Sequence, residues 1–74
     1  MSENNKLRAL GNAIKRAREQ HGLSSGQLAL MVDTTVKKIE QIECGKVEAN
    51  LVELAKIAKA LGRTATQLCE EAGL

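Results

Sequence analysis

The sequence predicts an all-α fold of five short helices, and three observations carry that expectation. Three segments open with the same reciprocal pair, Ser24 with Gln27, Asn50 with Glu53 and Thr64 with Gln67. At that spacing the first side chain accepts from the later N–H while the later side chain reaches back. Apolar residues then recur at intervals of three and four, and no segment alternates as a strand would. Finally, the 74 residues include no Phe, Tyr, Trp or Pro. The core must come from Leu, Ile, Val, Ala and Met, and no helix is interrupted by a proline ring. A chain of this length makes one domain with a small core.

Residues 1–5 offer nothing to that core and are expected to form a flexible tail, leaving residues 6–74 as the domain. The first helix is expected over residues 6–21, where Leu7, Leu10, Ile14 and Ala17 share one face, and Gly22 stops it. Gly11 inside this helix costs roughly 1 kcal/mol against Ala, which a close helix crossing would offset. The second helix, residues 25–32, starts behind the Ser24 cap and turns Leu28, Ala29 and Val32 inward with Met31 beside them. Asp33, Thr34 and Thr35 form a tight turn, and Thr35 is placed to cap the third helix, residues 36–44. So short a helix does not persist alone in water, and its neighbours must hold it.

On the third helix Ile39 and Ile42 mark the buried side. At 100° per residue Lys37, Gln41 and Cys44 fall opposite, flanked by Glu40, while Val36 sits at the helix start off the apolar stripe. Gly45 ends it. The fourth helix carries Leu51, Leu54, Ile57, Ala58 and Leu61 and stops at Gly62. The fifth carries Ala65, Leu68, Cys69 and Ala72.

The net charge of +2 is unevenly laid out. Residues 6–21 set Lys6, Arg8, Lys15, Arg16 and Arg18 against Glu19, a balance of +4, whereas residues 33–46 balance to zero and residues 47–74 to −1. On charge alone the basic first helix is read as a solvated face, with a polyanionic partner as the alternative. No run approaches the ~18 apolar residues of a membrane span, and the opening MSENNK is no signal peptide, so a soluble cytoplasmic protein without a membrane partner is expected. Cys44, Cys69 and the single His21 match neither a zinc site nor a disulfide framework, and both cysteines are read as reduced. No catalytic residue, metal or cofactor is expected: the chain has no paired nucleophile and base and no glycine-rich phosphate loop. The expectation is a protein that is not an enzyme.

The phrases HGLSSGQLA, TTVKKIEQIECGK and NLVELAKIAKALG together resemble the Cro/phage-repressor family of helix-turn-helix proteins (lambda-repressor-like, Xre-type), over about residues 7–70. The resemblance implies a compact five-helix lambda-repressor-like bundle whose third helix enters the major groove of double-stranded DNA as part of a dimer. Carried onto this chain, it implies base contacts from Val36, Lys37 and Gln41, phosphate contacts from Ser25, Thr35 and Lys46, and a structural ion pair between Arg18 and Glu43. Lys38, nearer the buried edge, is expected to reach a phosphate or solvent. An ordinary exposed face remains the alternative for Lys37 and Gln41, and partial burial against the second helix for Val36.

The chain departs from the family pattern at Ser25 in place of Gln, at Asp33 in place of the turn Gly, and at Val36 in place of a polar reader. The segment VEAN after Lys46 lacks the basic residues that many relatives aim at the DNA backbone, so phosphate contacts should be few. The expected function is a sequence-specific transcriptional regulator, a repressor rather than an activator. It would act as a homodimer joined through the fifth helix and the chain end at Leu74. The rival reading is a protein-interaction module of the same fold, such as an antitoxin or antirepressor, with a protein partner and little DNA affinity.

Overall fold

The computed structural model describes the backbone of residues 2–74 and the side chains of residues 5–74. Five helices follow one another: α1 Ser2–Gln20, α2 Ser25–Met31, α3 Val36–Glu43, α4 Leu51–Ala60 and α5 Ala65–Glu71, with no strand among the described residues. The three reciprocal caps are all formed. Ser24 Oγ accepts from the Gln27 N–H at 3.0 Å while Gln27 Oε1 accepts from the Ser24 N–H at 2.8 Å. Asn50 with Glu53 and Thr64 with Gln67 repeat the arrangement. Thr35 caps α3 by accepting from the Lys38 N–H at 3.1 Å. These bonds satisfy N–H groups that a helix start leaves orphaned.

The helix ends share one device as well. The N–H of Leu23 donates to Arg18 O, Thr34 to Ala29 O, Lys46 to Gln41 O and Arg63 to Ala58 O, each the closing bond of a Schellman turn. At α2 the residue in the left-handed conformation is Asp33 (φ 59°), in the place that glycine takes after the other helices. Val32, Cys44, Leu61 and Ala72, expected as last helical residues, are the C-caps instead.

Two expectations are corrected. α1 begins at Ser2 rather than near residue 6, because no proline or glycine precedes Lys6 to stop the ladder of backbone bonds. Most of the expected tail is therefore helical backbone, and Met1 lies outside the described residues. Met31 does not join the inner face of α2: it is 55% exposed, because Leu28, Ala29 and Val32 already fill the stripe that seven residues can bury.

Every helix sends at least one large side chain to a common centre, where Ile14, Leu28, Ile39, Ile57 and Leu68 are fully buried together with Leu61. Burying each such side chain contributes about 1.5–3 kcal/mol. α1 packs on α3 and α5, α2 on α3 and α4, and α4 on α5. α3 is therefore wedged between α1 and α2, which is how eight residues too few to be helical alone are held in shape.

The α1–α3 crossing is unusually close. A Cβ placed on Gly11 would stand 2.5 Å from both the Ile42 and Glu43 carbonyl oxygens. On the other side, Gly45 (φ 76°) packs against the backbone of Arg8, whose N and Cα would lie 2.9 and 3.0 Å from an added Cβ. Two glycines thus let main chain touch main chain, and the crossing expected from Gly11 is the one observed.

Candidate nucleic-acid interface

The position of α3 is set from its buried side. Ile39 and Ile42 anchor it in the core, and Glu43 is drawn under α1 by Arg18. Arg18 Nε donates to Glu43 Oε2 at 2.7 Å and Nη2 to Oε1 at 3.2 Å, a two-pronged pair with side chains only 12% and 7% exposed. The remaining prong, Nη1, donates to the Leu23 carbonyl at 2.8 Å. One guanidinium therefore joins α1, the α1–α2 loop and the end of α3. The hydrogen bond to Glu43 is the main reason the Arg18 pKa is raised, outweighing the opposing effect of burial.

Apart from Val36, what α3 leaves outside is polar. Lys37 and Cys44 are exposed and Gln41 is half-buried, and with Glu40 and Lys46 they line one shallow groove of about 260 Å³. Lys37 and Gln41, one turn apart, therefore open onto the same space. Val36 is 42% exposed, with its Cγ2 beside Gly26 at the start of α2, so it is both supported by α2 and available at the surface. Thr35 is exposed, although its hydroxyl already serves the α3 cap. Lys46 is exposed, and Ser25 is half-buried.

Lys38 lies toward α4: its Nζ is 3.7 Å from Glu53 Oε2, with the side chain still 35% exposed. The reason is angular: the position 100° on from Lys37 faces the α2–α4 side of the molecule.

The structure also assembles residues that sequence reasoning passed over. A second cleft, of about 480 Å³, opens between α1 and α3, with Arg8, Asn12 and Lys15 on its α1 wall. Their spacing of four and three residues was a legible signal for a shared face. Away from α3, Arg63 joins three elements: it bonds Glu71 at 2.6 Å, Gln20 at 2.8 Å and the Leu61 carbonyl at 3.0 Å.

Two short helices joined by a four-residue connection, the second held by its neighbours with a polar face outward, make this a helix-turn-helix protein. A helix-turn-helix family model matches residues 14–68, and the chain belongs to that family, the Cro/C1 type. Among solved structures it is similar to the clp gene regulator ClgR from Corynebacterium glutamicum, at 26% identity and a TM-score of 0.89, covering 92% of this chain and 72% of that one. It is also similar to the restriction-modification controller protein C.AhdI from Aeromonas hydrophila, at 27% identity and a TM-score of 0.81, covering 84% of this chain and 94% of that one. Hydroxypropylphosphonic acid epoxidase from S. wedmorenis shares the fold at 27% identity and a TM-score of 0.77, but the likeness spans only 33% of that enzyme. No curated protein sequence matches the chain. Family and regulator neighbours together support a DNA-binding transcription regulator. No described helix is long and apolar enough to cross a membrane.

Proposed function

We propose that the protein is a sequence-specific repressor that reads the DNA major groove with α3. The observation that carries this reading is the shared opening of Lys37 and Gln41 onto one groove of a firmly held helix. Lys37 is suited to donate to guanine O6 and N7, Gln41 to pair with adenine N6 and N7, and Val36 to touch a thymine methyl group. Ser25, Thr35 and Lys46 are assigned to phosphates, and Lys38, turned to Glu53, is left out of that set. The likeness to two proteins named as a gene regulator and a controller protein supports the same role. A cytoplasmic location goes with a chromosomal partner.

Lys37→Ala or Gln41→Ala is expected to weaken binding to a duplex selected from a random pool by about 1–3 kcal/mol and to relax preference at one base pair. If both variants bind the selected duplex as the wild type does, α3 is not the reader.

The protein is further proposed to act as a homodimer through α5 and the chain end, reading half-sites about one helical turn apart. Leu68 is spent on the monomer core, but Ala65, Cys69 and Ala72 are only half-buried and Leu74 is 53% exposed. Sedimentation at high micromolar concentration is expected to give a dimer. A monomer with and without duplex ends that proposal.

A protein partner is the second reading, favoured by Leu30, Leu51 and Val52 at 84%, 77% and 63% exposed. A gel shift against randomised duplex separates the two, since a pure interaction module binds none.

A further inference from the structure

Resting on the proposed DNA reading, we infer that the outer face of α1 is a second phosphate-binding surface. Arg8 and Lys15, with Asn12 between them, hold the DNA strand that runs beside α3. They supply the backbone contacts that the segment after Lys46 lacks.

Three observations converge on this. Arg8, Asn12 and Lys15 are all exposed, lie on one face of α1, and form one wall of the cleft between α1 and α3. That cleft and the reader groove are continuous, because Glu40 and Cys44 line both. A duplex seated on Lys37 and Gln41 therefore brings its neighbouring phosphates over the cleft. The wall is also fixed in place: Gly45 packs on the Arg8 backbone and Gly11 on the end of α3, so α1 and α3 meet main chain to main chain.

The charge balance agrees. Around the cleft stand Arg8, Lys15 and Arg18 against Glu40 and Glu43, a balance of +1. Arg18 and Glu43 neutralise each other across a 2.7 Å contact, which leaves two cations facing the single carboxylate of Glu40. Neither Arg8 nor Lys15 makes a salt bridge among the described residues. By contrast, residues 47–55 contain no Lys or Arg and include Glu48 and Glu53. The basic charge beside the reader helix lies on the helix packed against it rather than in the segment that follows it.

The test is the salt dependence of binding for wild type and the double variant Arg8→Gln/Lys15→Gln, on the duplex selected from a random pool and on random duplex. Both positions are exposed and glutamine is a good helix former, so the variant should fold, and circular dichroism checks that it does. Each phosphate contact contributes about 0.9 to the slope of log K against log salt, so two lost contacts flatten it by about 1.8 for each bound protomer, or about 3.6 for a dimer. Across a fourfold rise in salt the wild type should lose about tenfold more affinity than the variant for each protomer bound. The weakening should be equal on both duplexes, because phosphates carry no sequence. An unchanged slope and affinity, in a wild type that does bind selectively, overturns the α1 surface and leaves the α3 reading standing. Loss confined to the selected duplex also overturns it, since that is the mark of base contact. A wild type that binds neither duplex at low salt removes both readings.

Discussion

Glu43→Ala is expected to lower stability by about 3–5 kcal/mol, the cost of stranding one partner of a buried ion pair. A domain of this length has only about 4–11 kcal/mol in all, so the variant should lose between about a quarter and all of its stability. The loss is large because Arg18 has no alternative. Its side chain is 12% exposed, and without the carboxylate its guanidinium keeps only the Leu23 carbonyl. Glu43→Gln, which retains an acceptor but not the charge, should fall between. Replacing both partners, as in Arg18→Met/Glu43→Leu, should recover most of the loss, since a well-packed apolar pair carries no desolvation cost. Urea denaturation followed by circular dichroism reads all three. A loss under about 1 kcal/mol for Glu43→Ala would mean the pair behaves as a surface contact. The pair's pH behaviour follows from Arg18: its pKa is raised in the fold, chiefly by the hydrogen bond to Glu43. That contribution is complete below the unfolded arginine value and is lost only as pH climbs through the higher folded one, so it persists across the neutral and mildly alkaline range.

Gly11→Ala should also destabilise, against the usual direction for a glycine inside a helix. On an open helix surface the change gains about 1 kcal/mol. Here the new methyl group would stand 2.5 Å from the carbonyl oxygens of Ile42 and Glu43, and 2.8 Å from the Glu43 carbonyl carbon. Those atoms are main chain and cannot rotate aside, so α1 must lift from α3. Overpacking of this kind typically costs about 1–3 kcal/mol, and more where backbone must move; a net loss of about 2 kcal/mol is the expected outcome. The displaced piece is the end of α3, so duplex binding should weaken beyond what the fraction unfolded explains. A variant as stable as wild type, or more so, would show that the crossing relaxes freely. The two measurements are coupled, because Glu43 belongs both to the ion pair and to the carbonyl row under Gly11.

Local rules made much of the fold legible. The pairs Ser24–Gln27, Asn50–Glu53 and Thr64–Gln67 are contacts over three residues, decided by neighbours in the chain. Ile39 and Ile42 inward, with Lys37 outward, follow from the pitch of a helix once one face is buried. Where the reading failed or stayed open, the deciding contact was not local. Met31 is exposed because α2 is too short to bury a wider stripe, and Lys38 meets Glu53, fifteen positions away, once α4 is in place. Ala13, fully buried beside Ile14, gave no signal, because a methyl side chain suits a surface or a core equally.

The chain's own order of caps, glycines and aliphatic residues determined that there are five helices, where α2 to α5 start, and which face of each is buried. These are properties of a residue and its neighbours within one turn. The tertiary structure decided the rest: that Arg18 meets Glu43 across twenty-five residues, that Gly11 and Gly45 bring α1 onto the backbone of α3, and that Arg8, Asn12 and Lys15 border the same opening as Glu40 and Cys44. Such juxtapositions depend on how closely two helices approach, and that distance is set by the packing of the whole core, which no stretch of sequence contains by itself.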